Sequence, residues 1–223
     1  MRINADFSKA AVKPFDEGGW VPSPSGGVER IMLDRIGGEV ARATSLVRYA
    51  PDSRFPGHVH GGGEEYFVLS GVFSDEKGDY PAGTYVRNPI GTRHVPFSAG
   101  GCVIWVKLWQ FQPDDTAQIV VDTQSRAPEV PHLDLHAHGT EKVYLQRLAA
   151  GAEHALAANS GGAEVLVLSG AVRLAGETLT RWSWYRSPPG AAMHLTADAE
   201  GAALLIKEGH LRAAADGPPA PAD

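Results

Sequence analysis

One phrase of this chain occurs twice. EEYFVLSG ends at Gly71 and AEVLVLSG ends at Gly170, an offset of 170 − 71 = 99 residues. The same offset carries Arg48 to Arg147, Tyr85 to Trp184, Arg87 to Arg186, Pro89 to Pro188 and Gly91 to Gly190. A later pair, GCVIWVKL and GAALLIKE, aligns at an offset of 100, Lys107 to Lys207. A repeat on this scale makes the fold two copies of one supersecondary unit. Each copy consists of short runs rich in β-branched and aromatic residues, such as ATSLVRY, EYFVLSG and CVIWVKLW, punctuated by glycine and proline. That pattern predicts a many-stranded all-β protein, and no long helical period competes with it. Alanine propensity alone would make RLAAGAEHALAANS a helix. The repeat equates it with the strand and turn at 48–61, and we read it as strand.

The repeat also sets the expected organisation: an arm at 1–20, a first β unit at 21–112, a linker at 113–127, a second β unit at 128–211 and a frayed tail at 212–223. Hydrophobic residues make up 43% of the 223, enough to bury a core. The net charge of −6 and the lack of a basic stripe argue against nucleic acid as a partner. The single cysteine, Cys102, excludes an intramolecular disulfide and suits a reducing cytosol. The N-terminus lacks the apolar run of a signal peptide, and no stretch approaches the roughly 18 apolar residues of a membrane span. A cytoplasmic protein without a membrane partner is expected.

Residues 58–65 read HVHGGGEE. On a strand, His58 and His60 share a face. The glycines permit a tight reversal, so Glu64 can open the returning strand opposite the histidines. Downstream, GTYVRNPIGTRH marks a second turn and sets His94 on the strand leaving it. Glu65 is an alternative to Glu64, although the six residues between Glu64 and Gly71 favour Glu64. HLDLHAHGT, with His132, His136 and His138, is richer in histidine. It has no acidic partner at turn spacing and reads as an alternating strand.

These residues resemble the two cupin motifs. The first, HxH-x(3–4)-E-x(6)-G, is matched by His58, His60, Glu64 and Gly71; the second, G-x(5)-P-x-G-x(2)-H-x(3)-N, by Gly83, Pro89, Gly91 and His94. Two positions depart. The glycine usual six positions before the first histidine is Asp52, and the closing asparagine is Ser98. The resemblance implies a double-stranded β-helix (jelly-roll) barrel holding one divalent transition metal through His58, His60, Glu64 and His94. Carried through the repeat, these ligands become Ala157, Asn159, Ala163 and Met193. The expected fold is therefore a bicupin, two tandem barrels of which one binds metal.

A narrower resemblance lies in RATSLVRYAP, FPGHVHGGGEEYFVLSGVFSDEKGDYPAGTYVRNP and GCVIWVKLWQF. These phrases are similar to the cupin domain of the anti-sigma factor ChrR and its stand-alone relatives. The resemblance implies zinc binding and a small-molecule- or oxidant-responsive regulatory role. In ChrR an N-terminal zinc domain holds the sigma factor; residues 1–20 here contain no Cys or His, so a sigma factor is not an expected partner. Stand-alone relatives include dioxygenases of diketones and hydroxy-ketones, which makes an Fe(II)-dependent dioxygenase the alternative. Three imidazoles and a carboxylate suit zinc or iron first, with manganese or nickel also accommodated. Four protein ligands leave two positions of a six-coordinate ion open to a small-molecule ligand. No catalytic side chain is assigned, and a homodimer is compatible with the sequence. Tyr66, Phe67, Tyr85, Phe97, Trp105 and Trp109 read as core. Arg48, Arg87 and Lys107 have counterparts in the metal-free copy, which favours structural roles for them.

Overall fold

The computed structural model describes residues 1–126 and 130–211; the expected tail at 212–223 lies outside the described residues. Among the described residues, helix is confined to single turns at Glu17–Gly19 and Thr123–Arg126, and the rest is strand, turn and loop. No helix is long and apolar enough to cross a membrane. The chain divides into two compact units. One takes Met1–Ala5 and continues from Gly18 to Arg126; the other takes Asp6–Glu17 and continues from Val130 to Leu211.

In the first unit an antiparallel path runs Arg2–Ile3, Val28–Gly37, Ala41–Tyr49, Cys102–Leu108, Glu64–Asp75, Thr84–Asn88, Ile119–Asp122. The N-terminal residues read as an arm thus supply one edge strand, and the stretch read as a linker supplies the other. A separate two-stranded ladder joins His58–Val59 to Arg93–His94. In the second unit the path runs His132–His138, Glu141–Leu148, Met193–Glu208, Ala163–Leu174, Trp184–Ser187, Ala11–Lys13. The all-β expectation holds. Closed tandem barrels are not what the hydrogen bonding describes, because neither path returns to its start. In the first unit the reason is local: the ladder carrying His58 and His94 pairs only within itself and reaches the main sheet through turns.

The repeat is kept in register. Glu65 faces Arg87 on one neighbouring strand and Lys107 on the other; Glu164 faces Arg186 and Lys207 in the same way. The glycine ending each repeated phrase has a physical reason. A Cβ on Gly71 would lie 2.1 Å from the Gly101 carbonyl oxygen, and one on Gly170 would lie 2.0 Å from that of Gly201. The alanine-rich stretch is a strand at Glu153–Leu156, as the repeat required.

Tyr66, Val68, Phe73, Val86, Ile104 and Val106 form the core of the first unit. Val165, Val167, Met193, Leu195, Leu204 and Ile206 belong to that of the second. Each such side chain contributes about 1.5–3 kcal/mol on burial. The repeated charges are buried too. Arg87 pairs with Glu65 at 3.3 Å and with Asp115, lies 4.1 Å from the Phe111 ring centroid, and Tyr85 donates to Glu65 at 2.8 Å. In the second unit Trp184 donates to Glu164 at 3.1 Å, and Arg186 lies 4.2 Å from the Phe7 centroid. Arg48, by contrast, pairs with Glu29 at 2.7 Å and lies over Trp20.

Candidate metal centre

Two turns bring the four motif residues together. His58 and His94 are direct partners in their ladder. The next residue on the same face, His60, continues the pairing: its N–H donates to the Thr92 carbonyl at 2.8 Å, and its carbonyl accepts from Gly91 at 2.9 Å. The chain then reverses through three glycines that serve different ends. Gly63 alone has positive φ, +77°. Gly61 and Gly62 lie under the Trp109 indole, where a Cβ would come within 2.8 and 2.4 Å of ring atoms. Glu64 opens the returning strand. Because strand side chains alternate, Glu64 turns toward the histidines and Glu65 turns away to Arg87.

One ligand atom from each of His58, His60, Glu64 and His94 lies within 4.8 Å of all the others. A Glu64 carboxylate oxygen is 3.4 Å from His60 Nε2 and 3.5 Å from His94 Nε2. Such separations suit donors each about 2.1 Å from a shared ion. The tautomers are fixed from outside. His58 Nδ1 donates to the Pro56 carbonyl at 3.0 Å, and His94 Nδ1 to Asp75 at 3.2 Å. Thr92 gives its hydroxyl hydrogen to Pro89 at 2.6 Å, so it accepts from His60 Nδ1 at 2.9 Å. The Nε2 atoms are left with lone pairs, and those of His60 and His94 are buried without a hydrogen-bond partner. Burial holds the His60 imidazole neutral, its pKa pushed down to about 4 against the pull of Glu64. Oriented imidazoles beside a carboxylate are the donor set a divalent transition metal takes.

Residues 8–112 match the family model described as the ChrR Cupin-like domain. Just under half of the chain is thus similar to that domain. No curated protein compared with the sequence matches it. Among solved structures, the bacterial pirin YhhW of Escherichia coli in complex with nickel(II) is similar over 89% of this chain and 98% of its own, at 15% identity and a TM-score of 0.68. A cupin 2 conserved barrel domain protein from Leptotrichia buccalis is similar over 88% and 96%, at 13% identity and TM-score 0.59. Salicylate 1,2-dioxygenase from Pseudoaminobacter salicylatoxidans, solved with gentisate, is similar over 96% and 84%, at 14% identity and TM-score 0.60. At these identities the likeness is one of fold.

Both positions that depart from the cupin motifs have a local role. Asp52 has φ +59°, a left-handed conformation that aspartate tolerates better than most residues. Ser98, fully buried, donates to the Val72 carbonyl at 2.6 Å. Asp75, Thr92 and Asn88, which donates to Glu64 at 3.1 Å, went unremarked in the sequence because neither motif fixes their positions. The Cys102 thiol is buried and pushed up to about 11 by that burial, which fits a small core residue. His132–His138 is a strand as expected, but its register shifts between Asp134 and His136. Strict alternation is therefore lost, and Leu135 and His136 are both buried.

On the first unit's interior side, Val47, Phe55, Phe73, Ile104, Val106 and Leu108 help wall a cavity of about 100 Å³ that reaches His58 and Glu64. On that side the candidate centre faces hydrocarbon.

Two expected outcomes follow from this geometry. The Asp75→Asn variant removes the carboxylate that orients His94, and metal affinity should fall roughly 10–100-fold, read by competition with a chelator dye. An unchanged affinity would contradict that role. In the metal-free protein, the unfolded chain takes up a proton at His60 near pH 6.5 while the folded protein resists until about 4. Stability is therefore complete above pH 6.5 and falls as pH drops toward 4, by about 3 kcal/mol from this group. Urea melts of apo His60→Gln should show a shallower fall over that window than apo wild type.

Proposed function

We propose that the chain is a metal-binding bicupin with one working centre, a divalent transition metal held by His58, His60, Glu64 and His94. It acts as a small-molecule-responsive regulatory protein. The observation that carries this reading is the pair of buried Nε2 atoms, without partners, beside the Glu64 carboxylate at the end of an apolar cavity. The second unit supports the bicupin reading by keeping the strand order and charge register of the first. At the equivalent ligand positions it has Ala157, Asn159, Ala163 and Met193, of which Ala163 and Met193 belong to its hydrophobic core. Zinc bound at the centre would supply a redox-silent acceptor for an oxygen ligand, and iron(II) would supply one-electron chemistry with O2. The chain's own part is to orient the three imidazoles, to set one carboxylate against them and to offer an apolar wall beside them.

A second reading, an iron(II) dioxygenase of hydroxy-ketones or diketones, draws on the same cavity, which would seat an organic ligand beside the metal. Metal analysis of native protein, followed by anaerobic loading with Fe(II) and an oxygen electrode across a ketone panel, separates the two. Retained zinc and no uptake above the apo protein favour the regulatory reading. Uptake that requires Fe(II) and is lost in His94→Ala favours the enzyme. A protein that binds none of zinc, iron, manganese and nickel refutes both.

A further inference from the structure

The second unit keeps a carboxylate at the rung where the first has Glu64, but takes it from the neighbouring strand. In the first unit Glu64 stands opposite Leu108; in the second the same rung joins Ala163 to Glu208. Residues opposite each other in a ladder project to one side of the sheet, so Glu208 takes the side that Glu64 takes. Other positions that wall the first unit's cavity also turn polar when carried through the repeat. Val47 becomes Gln146 and Phe55 becomes His154. The ligand positions turn the other way, to Ala157, Asn159, Ala163 and Met193. Loss of a metal alone would leave hydrocarbon walls in place; it would not put a carboxylate and an imidazole there.

These polar groups are connected. Tyr144 donates its hydroxyl hydrogen to one Glu208 oxygen at 2.7 Å, and the Asn159 amide donates to the other at 3.5 Å. Among the described residues no cation pairs with Glu208: Lys142, opposite it in the ladder, is exposed and makes no ion pair with it. His154 Nε2 is buried without a hydrogen-bond partner. Burial pushes that imidazole below its ordinary pKa, against the pull of Glu208, and so keeps it neutral. Glu208, Asn159 and His154 are each half-buried, which leaves the group open to solvent. Among the described residues no third His, Cys, Asp or Glu joins Glu208 and His154 in a cluster that could hold a metal. An anion would be repelled by the carboxylate. What the group lacks is a positive charge that carries hydrogen-bond donors. We propose that the second unit holds a metal-free binding site for a small primary ammonium, anchored by Glu208 and His154. The ammonium pairs with the carboxylate and gives one N–H to His154 Nε2, while Tyr144 and Asn159 hold the carboxylate in place. Leu148 and Leu156, which pack in the same core as Tyr144, are the neighbours for a short alkyl remainder. The site is independent of the metal centre in the first unit.

The experiment is an NMR titration of the full chain with ethylammonium chloride, near neutral pH and at constant ionic strength. Saturable shifts are expected at the His154 imidazole and at Tyr144. Tetramethylammonium has the charge but no N–H, and ethanol has a donor but no charge; each should bind about tenfold more weakly or worse. Glu208→Gln, which keeps the shape, and His154→Phe, which installs the first unit's residue, should each weaken ethylammonium about tenfold or more. The second variant is read at Tyr144, and far-UV circular dichroism on both should match wild type. The His60→Ala/His94→Ala variant should bind ethylammonium as wild type does, which separates this site from the metal centre. No saturable shift at His154, undiminished binding by Glu208→Gln, binding of tetramethylammonium or ethanol as tight as that of ethylammonium, or loss of binding in the double histidine variant would overturn the proposal.

Discussion

The His60→Ala/His94→Ala double variant is expected to lose its transition metal completely while keeping its fold. Both side chains are almost fully buried, and both direct an unpartnered nitrogen toward Glu64. Removing them leaves one imidazole, on a residue that is only half-buried, and one carboxylate. Two donors of that kind cannot hold a divalent ion against dilute chelator. The fold should persist because the main sheet and the cores of both units use neither residue. Metal content by elemental analysis, with far-UV circular dichroism on the same sample, reads the outcome. Metal retained at the wild-type level would place it elsewhere in the chain.

Changing the neighbouring glutamate should do the opposite. Glu65→Ala removes one carboxylate partner of the buried Arg87 and takes the acceptor from Tyr85. Breaking a buried ion pair from one side costs about 3–5 kcal/mol. The equivalent substitution in the second unit, Glu164→Ala, removes the carboxylate that accepts from Trp184 and contacts His210 at 3.0 Å. It should cost a similar amount. Where either alanine variant does not accumulate, the Gln variants, which keep shape and some hydrogen bonding, should show the same sign with a smaller loss. Glu64→Ala should leave the stability of the metal-free protein much less changed and abolish metal binding instead. Urea unfolding of the metal-free set tests the contrast between two adjacent residues on opposite faces of one strand. A Glu65→Ala protein as stable as wild type would contradict it.

Much of this was readable in the sequence because it depends on fixed spacing. Strand alternation sets His58 with His60, and turn length sets Glu64 and His94 against them. The 99-residue repeat foretold the matched charge register and overrode a helix-like alanine run. Residues whose role depends on what a distant strand brings were not readable. Asp75 orients His94 from the far end of its own strand, and Trp109 explains two of the three glycines from another part of the chain. The edge strands at Ala11–Lys13 and Ile119–Asp122 lay in stretches that looked like arm and linker, since an edge needs few apolar residues to signal it. Closure of the sheets was also beyond reach, because it rests on which short ladders pair with which.

The central claim, one working centre in a duplicated fold, is tested most directly by counting metal. Protein purified without an affinity tag and without added metal should contain close to one transition metal ion per chain by elemental analysis, lost together with His60 and His94. Two ions per chain would show that the second unit also binds, and none after reconstitution with zinc or Fe(II) would contradict the account.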